Sequence, residues 1–148
     1  MITKFNSTFK KESAFKNAPL VPLESAEQKQ LIEWWHFFCQ TKGIHEKCLF
    51  AVPNGGYRNA RESHRLKEEG VRAGIPDLML AVPCGAFHGL FVELKRLKGG
   101  RVSDNQKEML VVFHRLGYCV KLCKGFAEAQ QAITEYLKDW RKCDENNS

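Results

Sequence analysis

The sequence predicts an α/β fold, a mixed β-sheet flanked by helices, and three observations predict it. Short apolar runs bounded by Gly and Pro alternate with longer stretches of helical period. The runs around Met79 and Val92 are joined by a short connection at Pro83-Cys84-Gly85, which favours an antiparallel pair. Between Glu93 and Cys123 a helical segment separates two strand-like runs, and that crossover favours a parallel pair.

The elements follow in order. Residues 1–23 are polar and basic and read as a flexible arm, ahead of a folded domain over 24–138 and a polar tail over 139–148. A first helix is expected from Ser25, an N-cap with Gln28 three residues on, and it carries Leu31, Ile32, Trp34, Trp35, Phe38 and Cys39 before ending at Gly43. Trp34, Trp35 and Phe38 could stack on bases, but their spacing reads better as core or interface. Cys48–Val52 is a strand stopped by Pro53-Asn54-Gly55-Gly56, and Ala60–Glu69 forms a short helix. Strands are expected over Leu78–Val82 and Leu90–Leu94. Ser103 caps a helix carrying Met109, Leu110, Val112, Phe113 and Leu116, which ends at Gly117. Tyr118–Cys123 is the last strand, and a closing helix runs from Ala127 to Leu137.

Composition narrows the function classes. At 148 residues the chain suits one domain with a real core. No run approaches the roughly 18–20 apolar residues of a membrane helix, and no secretory signal is expected, so the protein reads as cytoplasmic. The six cysteines include no CxxC pair, which argues against zinc. A net charge of +6 suits a polyanionic partner. The basic residues cluster at Arg58–Arg72 and Lys95–Lys107. Arg58, Arg72, Lys98 and Arg101 are the expected phosphate contacts, weighed against a solvated helix face laced with Glu62, Glu68 and Glu69.

The chemistry lies where charge interrupts apolar strands. Pro76-Asp77 opens one strand and Glu93-Leu94-Lys95 closes the next. Glu and Lys are rarely buried unless paired, and a carboxylate among apolar neighbours needs compensation. A divalent ion between Asp77 and Glu93 would compensate it, with the Leu94 carbonyl as a third oxygen and Mg²⁺ keeping several waters. Strand alternation puts Glu93 and Lys95 on one face, so the lysine can sit beside an attacking water or a phosphate. A basic surface alone would equally serve a non-catalytic DNA-binding module. That alternative leaves the polar cluster unexplained.

These segments resemble the PD-(D/E)xK nuclease superfamily and, more narrowly, the stand-alone VRR-NUC domains of bacteriophages and bacteria. The resemblance runs from about Glu24 to Leu137 and is carried by Pro53-Asn54-Gly55-Gly56, Gly70–Leu78, His88–Lys95, Gly100–Gln106 and Leu116–Val120. It implies a restriction-endonuclease-like sheet and a Mg²⁺- or Mn²⁺-dependent DNA endonuclease. By motif match Asp77 and Glu93 are metal ligands, Lys95 is the catalytic lysine and Gln106 helps orient the site. An acid on the first helix is also implied: Glu27 fits best, with Glu24 close to it. The resemblance further implies a homodimer acting on branched DNA, such as four-way junctions or flaps, in a bacterial cell or phage-infected host. Val71-Arg72 is followed by Ala73, where the family name calls for a second arginine.

Overall fold

Helix α1 (Glu24–Lys42) starts as the chain leaves Pro22. Its N-cap is Leu23 with no side-chain cap, so the box expected between Ser25 and Gln28 does not form. Instead the amides of Ala26 and Glu27 bond the Leu23 carbonyl. Glu24 and Glu27 lie in the first turn and Lys42 in the last, each matching the helix dipole. Gly43, at φ 66°, ends the helix in the left-handed conformation. Glu27, Leu31, Trp35 and Cys39, four residues apart, form its buried stripe.

The computed structural model describes residues 21–53 and 59–140. Most of the expected arm, the Asn54-Gly55-Gly56 turn, Arg58 and residues 141–148 lie outside them. The described chain continues as β1 (Leu49–Ala51), α2 (Ala60–Glu68), β2 (Leu78–Leu80), β3 (Leu90–Lys95), α3 (Asp104–Arg115), β4 (Cys119–Lys124) and α4 (Gly125–Tyr136). The sheet order is β1-β2-β3-β4, with β1–β2 and β2–β3 antiparallel and β3–β4 parallel, as the connections predict. Strands β1 and β2 are shorter than expected, although bonds from the Ala81 amide to the Cys48 carbonyl and from the Val52 amide to the Asp77 carbonyl flank the paired residues. Beyond Ala81 the chain closes on a bridge between Cys84 and Phe87. Helix α4 starts two residues earlier than expected, at Gly125.

Alternation along the strands divides the sheet into two faces. Leu78, Leu80, Leu90, Val92, Leu94 and Cys123 form one core with Leu31 and Trp35 of α1 and Ala129, Ile133 and Leu137 from α4 and its C-cap. Trp35 is 2% exposed and donates its indole N–H to the Glu46 carbonyl at 2.7 Å. Trp34 stacks on Phe38 at 4.5 Å between centroids, so this aromatic stripe is core packing. The opposite face packs against α3, where Phe91 stacks on Phe113 and meets Tyr118 edge-on. Trp140 packs on the core and donates its indole N–H to the Lys42 carbonyl at 3.1 Å. Burial pushes the Cys123 thiol up to about 11. No helix among the described residues is long and apolar enough to cross a membrane.

Candidate active site

The α3 face of the sheet carries the polar cluster. Leu78 pairs with Val92, and extending that antiparallel register by one residue sets Asp77 opposite Glu93. Residues at period two along β3 then bring Glu93 and Lys95 to the same face, as the spacing predicts.

Glu93 is wholly buried and Lys95 is 9% exposed. The Lys95 ammonium lies 2.5 Å from Glu93 Oε1, and the Gln106 Nε2 amide donates to that same oxygen. Glu93 Oε2 is buried without a hydrogen-bond partner. Asp77 Oδ2 accepts the Leu94 amide N–H at 2.8 Å, and the Asp77 carbonyl accepts from Val52. In regular strand geometry the N–H and C=O of one residue point the same way, so the Leu94 carbonyl also turns towards Asp77.

Burial pushes both carboxyls above their usual range. For Asp77 the Leu94 amide and the Lys95 charge oppose that rise. For Glu93 the hydrogen bond from Lys95 opposes it, while Asp77 and, more weakly, Glu24 add to it. Two acids held this way bind a proton or a cation more readily than acids in water.

Each side chain has a local cause. Gln106 is set by the start of α3: Ser103 Oγ accepts the Gln106 amide, and Gln106 Oε1 accepts the Ser103 amide. This capping box spends one end of the glutamine on the helix and aims the other at Glu93. The loop before Asp77 is held by Gly74, at φ 85°. A Cβ on Gly74 would come within 2.6 Å of the Asn105 carbonyl. The Asp77 loop and the Gln106 helix therefore touch through bare backbone. Sequence reading missed this contact, although a glycine two residues before Pro76-Asp77 was its signal.

The two first-helix acids separate. Glu27 is buried, and its Oε2 accepts the Phe126 amide at 2.5 Å, at the start of α4. Glu24 is half-buried one turn earlier, and it is the first-helix acid whose charge acts on Glu93. Among the expected phosphate contacts, Lys98 and Arg101 are exposed on the connection between β3 and α3. That connection folds back so closely that a Cβ on Gly100 would sit 3.0 Å from Lys95 Cβ. Arg72 is exposed but donates to the carbonyls of Lys67 and Val71, which ties it to the end of α2. Arg65 pairs with Glu69, and His64 with Glu68, as on a solvated helix face.

A buried acid–lysine pair, a second carboxylate opposite it and a cationic loop at the rim suit phosphodiester chemistry better than they suit structure. No curated protein sequence matches the chain. The fold is similar to a solved structure described as a VRR_NUC domain protein, at 25% identity over 80% of this chain and 90% of that one, with a TM-score of 0.65. The family model of the VRR-NUC domain matches residues 23–127 and so spans β1 to β4, the polar cluster and the start of α4. The chain belongs to the VRR-NUC domain family, a nuclease-type domain.

Proposed function

We propose that this protein is a Mg²⁺- or Mn²⁺-dependent DNA endonuclease that acts on branched DNA as a homodimer. The observation that carries the reading is Glu93: wholly buried, with Oε2 unpartnered and a second carboxylate opposite. An orphaned buried carboxylate oxygen is costly in a folded protein, and a hard cation is a ligand that would satisfy it. No group of three or more His, Cys, Asp or Glu among the described residues is arranged to hold a metal. Two carboxylates nevertheless suffice for Mg²⁺, which keeps several waters. Asp77, Glu93 and the Leu94 carbonyl would hold the ion.

When bound, the ion would supply Lewis-acid charge for hydrolysis of a phosphodiester. The protein does the rest. Lys95 is held by Glu93 and offers a fixed ammonium where a phosphate develops negative charge. Gln106 keeps the Glu93 carboxylate from turning, and the Leu94 amide does the same for Asp77. Lys98 and Arg101 at the rim draw the DNA backbone in.

One site cuts one strand, so paired cuts at a junction call for two sites related by a two-fold axis. Four-way junctions and flaps are the substrates proposed, in the cytoplasm of a bacterial cell or a phage-infected host. The test incubates the full chain with junction, flap and linear duplex in Mg²⁺ or EDTA, beside Asp77→Ala, with light scattering on the same samples. Mg²⁺-dependent cutting of branched DNA by a dimer, lost in Asp77→Ala, is expected. Metal-independent binding without cleavage of any substrate would replace the reading with a DNA-binding module. A monomer making paired symmetric cuts would refute the dimer.

A further inference from the structure

Strands β3 and β4 run parallel in a register that sets Glu93 beside Leu122, Leu94 beside Cys123 and Lys95 beside Lys124. Paired residues of parallel strands project to the same face. Leu94 and Cys123 both enter the core. Lys95 and Lys124 therefore share the opposite face, one strand spacing apart, about 4.8 Å. The helix start gave no hint of this, because Lys124 stands at the seam between a strand and α4 and is near the active lysine only through the crossover.

The two lysines are in different states. Lys95 is nearly buried and committed to Glu93. Lys124 is exposed, and none of the ion pairs among the described residues includes it. The acid four residues on, Glu128, uses Oε2 to accept the backbone amide of Lys124 at 2.7 Å. Glu27 takes the Phe126 amide. The first turn of α4 is thus already supplied with carboxylates, and an anion arriving here would meet the Lys124 ammonium before any helix amide.

The position is fixed as well as charged. Gly125, at φ 73°, turns the chain into α4 immediately after Lys124. A Cβ there would strike Leu97, 2.9 Å away, and meet Glu27 Oε2 at 3.3 Å. The residue after Lys124 is therefore packed against the segment that follows Lys95. The cluster sets the acids Asp77 and Glu93 opposite each other, and Lys95 is spent on Glu93. A DNA strand entering this face needs another cation, and Lys124 stands in the adjacent row.

We infer that Lys124 is a phosphate-binding residue of this site, holding a backbone phosphate of the strand that is cut. The inference deepens the nuclease reading and rests on it for the role of the site. Lys121 provides the control. It lies on the same strand with the same charge, but its pairing with Val92 puts it on the other face, where its charge acts on the thiols of Cys119 and Cys123.

The experiment uses the full chain and a four-way junction. Binding is titrated in EDTA over a salt series, and steady-state cleavage is measured in Mg²⁺, for wild type, Lys124→Ala, Lys124→Gln, Lys124→Arg and Lys121→Ala. Both neutral Lys124 variants should bind roughly 5- to 10-fold more weakly at low salt, with a salt slope shallower by about 1. In cleavage the loss should fall mainly on KM. Lys124→Arg should stay near wild type, and so should Lys121→Ala. Neutral Lys124 variants that match Lys121→Ala in both binding and slope would overturn the inference while leaving the nuclease reading in place. A wild type that never cuts, yet loses a unit of salt slope with Lys124, would keep the phosphate contact and remove the nuclease.

Discussion

Magnesium should stabilise the folded protein, and Glu93 should set how much. Its carboxylate has no solvent exposure and its Oε2 has no partner. A buried polar group left unsatisfied costs about 1–3 kcal/mol, more when charged. A ligand that binds the folded state alone contributes about 2.7 kcal/mol at a hundredfold excess over its Kd. The two scales agree, so saturating Mg²⁺ should add about 1–3 kcal/mol. For a chain of this length that is roughly 3–9 °C in Tm. The assay is a thermal melt followed by circular dichroism in EDTA and in a Mg²⁺ series, with ionic strength matched by KCl. In Glu93→Gln a neutral amide replaces the charged ligand, and the shift should fall below about 1 °C by the same arithmetic.

The pH dependence carries the same signature with a definite sign. Burial raises the folded-state values of Asp77 and Glu93 above those of the unfolded chain. The folded, metal-free protein therefore holds protons that the unfolded chain has released. Its stability should fall as pH rises from the ordinary carboxylate range, near ~4, through the raised values. Mg²⁺ should recover that loss over the same window. An equal Mg²⁺ shift in wild type and Glu93→Gln would refute the reasoning. So would metal-free stability that climbs with pH there through Glu93.

The remaining predictions test how the site is held. Gly74→Ala puts a Cβ 2.6 Å from the Asn105 carbonyl at a positive φ, and should cost about 1–3 kcal/mol in a urea melt and displace Asp77, lowering cleavage further than the stability loss explains. Ser103→Ala should cost about 1 kcal/mol of stability with cleavage largely kept, because Gln106 still accepts the backbone amide. Gln106→Ala should cut the rate far more, since Glu93 then loses its clamp; equal rates for the two variants would count against that role. Glu27→Gln should lower Tm through a weakened start of α4 while Mg²⁺ affinity holds, and Glu24→Gln should do the reverse. Calorimetric Mg²⁺ titration of both separates them.

What could be read from the sequence follows from how far apart the interacting groups lie. Glu93 and Lys95 sharing a face needs only the period of a strand. The capping box at Ser103 and Gln106 needs three residues of one helix start, and the left-handed end at Gly43 needs one. The parallel pairing of β3 and β4 follows from the length of the crossover. The start of α1 was misplaced because Ser25 had the right neighbours for a cap, yet the turn closes two residues earlier on the backbone of Leu23 and no side chain takes part.

Choosing between Glu24 and Glu27 shows where such reading stops. The two lie three residues apart on one helix, so spacing offers either to the same side. Glu27 Oε2 accepts the Phe126 amide, 99 residues along the chain, where α4 begins. Gly125 makes the approach possible, since any side chain there would meet both Leu97 and Glu27. One acid thus anchors the helix that follows β4, and the other adds its charge to Glu93. The same turn at Gly125 ends β4 at Lys124, so the contact that ties Glu27 to the start of α4 also helps set where Lys124 stands beside Lys95.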